Sequence, residues 1–113
     1  PIKIDECALD GQFIRLANTS KDKDIDVSNW LLVRKVEDHE DINYYIPSNV
    51  RIYRGQTIKI LTRLSQANRA AHDLVNMEID SWGLGMNITT RLFNDDEEER
   101  ASHIQRTGYP SSR

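Results

Sequence analysis

Two glycines, Gly83 and Gly85, give this chain its nearest approach to a cofactor-binding motif. They stand in the run Gly-Leu-Gly-Met-Asn-Ile at residues 83–88, which begins like the glycine fingerprint that sets a helix N-terminus against a dinucleotide. The third glycine of that fingerprint is missing, and no strand-to-helix transition surrounds the run. We therefore predict a conformational loop, with a positive φ at one glycine or both, and no bound nucleotide cofactor.

The side chains that could bind a metal ion have no shared ligand spacing. His39, His72 and His103 are far apart and have no cysteine cluster beside them, whereas a structural zinc site takes four nitrogen or sulfur ligands at short, regular spacings. The acidic run at residues 95–99 lacks the alternating ligands and the glycine of a calcium loop. A run of like charges is typical of a solvated turn. The sequence predicts no metal site.

Serine catalysis is not indicated, because no serine stands in a nucleophile-elbow box such as Gly-x-Ser-x-Gly. The sequence predicts no catalytic residue and no enzyme. Seven basic residues of the expected strands could instead form a phosphate-binding face, but the chain has a formal net charge of -3, and phosphate binding favours contiguous positive charge. We interpret them as solvent-facing strand positions and do not expect nucleic-acid binding: Arg15, Arg34, Lys35, Arg51, Arg54, Lys59 and Arg63.

Length and composition indicate one soluble globular domain. A chain of 113 residues with 38% hydrophobic and 29% charged residues can bury its own core without disulfides. The single Cys7 cannot form an internal disulfide, and we expect it to be a small buried hydrophobe. No run approaches the ~18 apolar residues of a membrane-spanning helix. The chain starts without methionine, so we expect it to be a segment of a longer protein.

The elements that would position these residues are strands, since apolar residues recur with a period of two. Ile14 and Leu16 share one face of a strand that opens after the turn dipeptide Asp10-Gly11, and Trp30 then lies on one face with Leu32. We take Trp30 as the principal core residue, because a buried indole removes more surface from water than any other side chain. A further predicted strand contributes Ile58 and Ile60, which completes the predicted core: Trp30, Ile14, Leu16, Leu32, Ile58 and Ile60.

Shorter patterns complete an all-β prediction. Residues 2–7 read as an edge strand beside the strand from Phe13, residues 37–41 and 65–73 as loops, and residues 101–105 as the closing strand. Eight or nine short strands separated by turn signals favour an Ig-like β-sandwich of two antiparallel sheets. We expect this domain to cover residues 1–106 and residues 107–113 to be a disordered tail.

Four pieces of the chain, in order, resemble the lamin tail domain. The first is Asp-Gly-Gln-Phe-Ile-Arg-Leu-Ala-Asn-Thr-Ser at residues 10–20, followed by Asn29-Trp30. Tyr-Tyr-Ile-Pro at 44–47, the hairpin at 50–60 and Ser-Trp-Gly-Leu-Gly at 81–85 continue the match, so the resemblance covers residues 4–106. It implies an Ig-like, non-catalytic interaction module that follows the coiled-coil rod of an intermediate filament protein.

Two departures bear on the branch of that family. Nuclear lamins commonly have a basic residue where this chain has Tyr45, and no prenylation box follows Tyr109. Both favour a cytoplasmic intermediate filament protein, with the nuclear lamina as the alternative location. The implied partners are other filament subunits or filament-associated proteins. Because an edge strand of an open sandwich can pair with a strand of a second copy, we also expect weak self-association. A chromatin-binding or nuclear-envelope-binding lamin tail remains the second function class, and a cell-surface adhesion domain, which lacks its expected cysteine pair here, the third.

Overall fold

The computed structural model describes residues 1–106, which form ten β-strands and no helix. The predicted disordered tail, residues 107–113, lies outside the described residues. The strands are β1 Ile2–Cys7, β2 Phe13–Asn18, β3 Ile25–Asp26, β4 Leu31–Val36, β5 Ile42–Tyr45, β6 Arg51–Ile52, β7 Thr57–Thr62, β8 Leu74–Asn76, β9 Asn87–Phe93 and β10 Glu99–Arg106.

Two four-stranded sheets enclose the core. One has the strand order β1-β2-β7-β8, the other has the order β10-β9-β4-β5, and β3 and β6 form a separate two-stranded ladder. We call the sheet with the order β1-β2-β7-β8 the A sheet, the pair of β3 and β6 the B ladder, and the sheet with the order β10-β9-β4-β5 the C sheet. The predicted all-β, Ig-like sandwich is confirmed. The ladder of β3 and β6 was not predicted from the sequence, because strands of two residues are too short for a period of two to show.

One strand pair corrects the prediction of purely antiparallel sheets. β8 runs parallel to β7, with Ile60 opposite Leu74 and Thr62 opposite Asn76. A parallel neighbour needs a crossover connection instead of a tight hairpin, and the loop at residues 63–73 supplies it. Asp73 fixes that loop, since its carboxylate accepts hydrogen bonds from the backbone N–H of Lys59 at 2.9 Å and of Ala70 at 2.8 Å.

Side chains alternate between the two faces of each strand, and the apolar ones point into the core. Ile14, Leu16, Leu32 and Ile60 are completely buried, and Ile58 is nearly so. Trp30 directly precedes β4 and is 8% exposed, but Trp82, which was not among the predicted core residues, is 0% exposed. Trp82 lies in a loop, so no strand periodicity marked it as a core residue.

The two sides of the sandwich differ. At one side the edge strand β1, which pairs with β2 as predicted, also contacts β10 of the opposite sheet. A β-bulge between Ile4 and Glu6 interrupts the pairing of β1 with β2. Asp5 and Glu6 of β1 also form ion pairs with Arg15. At the other side, β5 and β8 each have a single neighbouring strand within the described fold.

Truncating either tryptophan should destabilise the domain strongly. Trp30→Ala should lower the free energy of unfolding by about 3–5 kcal/mol. Trp82→Ala should cost at least as much, because it also removes the indole N–H that donates to the Ile60 carbonyl at 3.0 Å. Urea unfolding of the parent and both variants measures this. Coincident curves for Trp30→Ala and the parent would show that Trp30 is not a core residue.

Candidate protein interaction site

The Trp82 loop is bonded to both sheets. The indole Nε1–H of Trp82 donates to the carbonyl of Ile60 in the A sheet at 3.0 Å. Its backbone carbonyl accepts a hydrogen bond from Nε of Arg34 in the C sheet at 3.0 Å. The ring of Tyr44 stands at 90° to the indole, with 6.2 Å between ring centroids. The loop therefore ties the two sheets together through one residue.

Arg34 corrects the interpretation of the seven strand cations as solvent-facing. It is 1% exposed, and its guanidinium donates to the hydroxyl of Thr90 at 2.8 Å and to the carbonyls of Trp82 and Gly83. Burial lowers the pKa of Arg34, because the interior disfavours the charged form. The signal was present in the sequence, since Arg34 stands two residues from both Leu32 and Val36 and so shares their inward face.

Cys7 lies beside this buried cation. Its thiol is buried and donates a weak hydrogen bond to the Thr90 hydroxyl over 3.8 Å. Burial raises the pKa of the Cys7 thiol, and the charge of Arg34 opposes that rise only in part. A buried thiol of raised pKa is a poor nucleophile at neutral pH, which agrees with its expected role as a small buried side chain.

Gly83 and Gly85 have different local constraints. Gly83 has a φ of 97°, and a Cβ there would come within 2.7 Å of Cγ2 of Val36. A Cβ at Gly85 would come within 2.7 Å of Oε1 of Glu37. That same carboxylate accepts the backbone N–H groups of Asn87, at 2.9 Å, and of Met86. These two bonds lower the pKa of Glu37, so the loop is organised around a side-chain anion of the protein itself.

The remaining cations do not gather into a basic face. Five of the seven named residues pair with acidic side chains: Arg15 with Asp5 and Glu6, Lys35 with Asp41, Arg51 with Asp26, Arg54 with Asp24, and Arg63 with Asp80. The Lys59 ammonium group donates to the Asn68 carbonyl and lies 5.5 Å from the centroid of the Phe13 ring. Ion pairing thus leaves no contiguous positive surface on these strands.

The histidines and acidic residues are also dispersed. His39 and His72 are exposed, whereas His103 lies half-buried on β10. Within residues 1–106, no group of three or more histidine, cysteine, aspartate or glutamate side chains could hold a metal ion. The acidic run follows β9 as a turn in which the side chain of Asn94 accepts the N–H groups of Asp96 and Glu98, each at 2.9 Å.

The open side of the sandwich contains a groove between its two free edges. The groove, of about 460 Å³, is lined from β5 by Tyr44 and from β8 by Leu74 and Val75, with Met77 just beyond. Thr62 of β7 also lines it and is 2% exposed. The Thr62 hydroxyl is buried without a hydrogen-bond partner among the described residues. We name this feature the open-side groove. The sequence left the binding surface undetermined, because the groove depends on which strands become edges.

The sequence matches a known protein family over almost its whole length. The family model of the Lamin Tail Domain matches residues 1–109. The chain belongs to the lamin tail domain family. The resemblance stated from the sequence is therefore confirmed.

This lamin tail domain is similar to segments of invertebrate filament proteins. It is 38% identical over 98% of its length to a muscle cell intermediate filament protein of Onchocerca volvulus. It is 38% identical over 94% to intermediate filament protein ifb-1 of Caenorhabditis elegans, and 37% identical over 96% to a 70 kDa neurofilament protein of Doryteuthis pealeii. The chain spans 26%, 18% and 17% of these three curated relatives, respectively.

The family and its relatives are structural filament proteins and not enzymes. Within the part of the chain that the structure describes, no helix is long and apolar enough to span a membrane.

Replacement by alanine should lower the free energy of unfolding by different amounts at the two loop glycines of this lamin tail domain. Gly83→Ala should lower the free energy of unfolding by about 1–3 kcal/mol, because a residue with a Cβ is strained at this positive φ and the new methyl group would press on branched Val36. Gly85→Ala should cost less, because Gly85 has no positive φ, and its cost should come from displacing the Glu37 carboxylate from the N–H groups of Met86 and Asn87. Chemical unfolding measures both.

Gly55→Ala is the matched control, because Gly55 has a φ of 71° and no atom of the described residues lies within 4 Å of the place that an added methyl group would take. The Gly55→Ala variant measures the cost of backbone strain at a positive φ without crowding by the added methyl group. Neither loop variant should alter nucleotide binding. A nucleotide that raises the melting temperature of the parent in a concentration-dependent way would overturn the conformational role of this loop.

Proposed function

We propose that this lamin tail domain is the globular tail of a cytoplasmic intermediate filament protein, and that it docks other filament subunits or filament-associated proteins. Its similarity to muscle cell and neurofilament proteins supports the filament context. The observation that carries the docking role is the open-side groove, where two free sheet edges meet. The protein then belongs to the cytoskeleton, and its rod, outside this chain, polymerises.

The edges at the groove can accept a strand from a partner. An edge strand has backbone N–H and C=O groups without ladder partners, and these can pair with an extended peptide. β1 is unsuited to this, because it contacts β10, contains a bulge and carries ion-paired residues. β5 and β8 have neither a covering strand nor a bulge in their pairing within the described fold. We therefore assign docking to this side of the sandwich.

Part of the groove wall is apolar and suits an extended segment with alternating apolar side chains, while the polar side chains of Arg63, Arg69 and Asp73 line the groove as well. Tyr44, Leu74 and Val75 line it, and Met77 is 65% exposed, so an occupant would bury apolar surface as well as backbone. Backbone pairing and apolar contact make such docking only modestly sensitive to salt.

A charge placed in the groove should weaken docking. The parent chain should self-associate weakly in concentration-dependent sedimentation and should pellet with filaments assembled from intermediate filament protein ifb-1. Met77→Lys should reduce both, because its ammonium group would lose hydration when a strand covers it.

Met86→Lys is the matched control, since Met86 is also exposed, its replacement introduces the same charge, and it lies in the Trp82 loop away from the groove. Equal loss in both variants would assign the effect to net charge alone. A parent chain that stays monomeric and does not pellet with the filaments would contradict docking at the open side.

The alternative, a nuclear lamin tail that binds chromatin, predicts a different partner. The net charge of -3 and the paired strand cations oppose counterion release from DNA. We expect no submicromolar binding to duplex DNA at physiological salt in a direct titration. Submicromolar binding under that condition would favour the nuclear lamina over the cytoplasm for this protein.

A further inference from the structure

We propose that the outer face of the C sheet carries a second binding site, a cleft that accepts a lysine or arginine side chain from an extended basic segment of a partner protein. The cleft has a volume of about 600 Å³ and lies between the turn after β9 and the start of β4. We name it the acidic cleft. It is separate from the open-side groove, because β5 presents Tyr45 to the cleft and the neighbouring Tyr44 to the groove.

The floor of the acidic cleft is a row of three apolar side chains. Leu31 of β4 is directly opposite Tyr45 of β5 on one side and Phe93 of β9 on the other. Side chains of directly opposed strand residues share one face of a sheet and lie within contact of each other. This is the outer face, since Tyr45 is 67% exposed while Leu32 and Leu92, the next residue on β4 and the preceding one on β9, point into the core. A long side chain could lay its methylene stem along this row.

One wall of the cleft is acidic and has a fixed shape. Asp95 and Glu97 line it, and the Asn94 side chain closes their turn by accepting backbone N–H groups at 2.9 Å. Glu97 has a φ of 64°, which sets the direction of its side chain. Across residues 1–106, neither the Asp95 carboxylate nor the Glu97 carboxylate has a hydrogen-bond or ion-pair partner, in contrast to nearby Glu99, which pairs with Arg91 at 3.4 Å.

The charge of the lining specifies a cationic occupant. As far as residues 1–106 form it, the lining contains two carboxylates, two aromatic rings and no lysine or arginine. A cation can hydrogen-bond the carboxylates and approach the ring faces, and both contacts strengthen as water leaves the cleft. An anionic or purely apolar ligand would leave the carboxylates desolvated without compensation.

A separate basic partner fits this cleft better than a second copy of the chain. The chain has a formal net charge of -3, so two copies repel each other at long range. Most of its strand cations are also engaged, either in ion pairs or, for Arg34, in the core. The occupant that the charges favour is a basic segment on another protein, with apolar residues beside its lysine or arginine.

A titration of the 113-residue chain with a blocked peptide of alternating arginine and leucine tests this assignment. Backbone amide chemical shifts should change at Leu31, Tyr45 and Phe93, and the same peptide with glutamine in place of arginine should bind much more weakly. Combined Asp95→Asn and Glu97→Gln replacements should weaken the arginine peptide by at least about tenfold, because two charge-assisted contacts are lost.

Two control variants keep the test specific. Combined Asp38→Asn and Glu40→Gln replacements change the net charge equally in an exposed loop away from the cleft and should leave the affinity almost unchanged. Met77→Lys, in the open-side groove, should not reduce peptide affinity either, so the cleft can fail or succeed independently of the proposed docking function.

Three results would overturn the assignment. Equal weakening by the control pair at residues 38 and 40 would reduce the effect to general charge attraction. Equal binding of the glutamine peptide would show that no cation is recognised. Loss of self-association in the Asp95→Asn, Glu97→Gln variant would identify a second copy as the occupant instead of a basic partner.

Discussion

The burial of Arg34 is the constraint on which the rest of this domain depends. A buried guanidinium is tolerated only when its donors find acceptors, and Arg34 finds them in the hydroxyl of Thr90 and the carbonyls of Trp82 and Gly83. The same loop sends the Trp82 indole to the carbonyl of Ile60 in the opposite sheet. One buried cation therefore fixes the loop, and through the loop it fixes the distance between the sheets.

That arrangement also shapes the side of the sandwich that remains open. The Trp82 ring stands against Tyr44, so the inner wall of the open-side groove is built directly on the core. Asp73 holds the crossover loop to β7 and so permits β8 to run parallel as a short, uncovered edge. The opposite side is closed by contact between β1 and β10. Packing produces this asymmetry between the two sides, and the asymmetry determines which edge strands could pair with an extended partner segment.

The pairing of surface charges also differs from one part of the domain to another. Five of the seven strand cations named above pair with acidic residues. Across residues 1–106, the Asp95 and Glu97 carboxylates of the turn after β9 have no ion-pair partner, and they lie beside the rings of Tyr45 and Phe93. A sandwich of this kind presents backbone edges at one place and unpaired carboxylates at another. The two surfaces favour different partner chemistry, which suits a module that acts by binding.

Apart from the ladder of β3 and β6, the sequence by itself determined the strand pattern, and it also determined the six predicted core positions as inward-facing residues and the family. These follow from local information: Ile14 with Leu16, or Ile58 with Ile60, shows a period of two within three residues, and the lamin tail motifs are short and ordered. Tertiary structure alone decided which groups accept the hydrogen bonds of Arg34, that Trp82 belongs to the core, that β8 is parallel and that β5 is an open edge. The physical reason is distance along the chain, because the acceptors of Arg34 lie 48 to 56 residues away, and no local pattern records which remote groups will meet it.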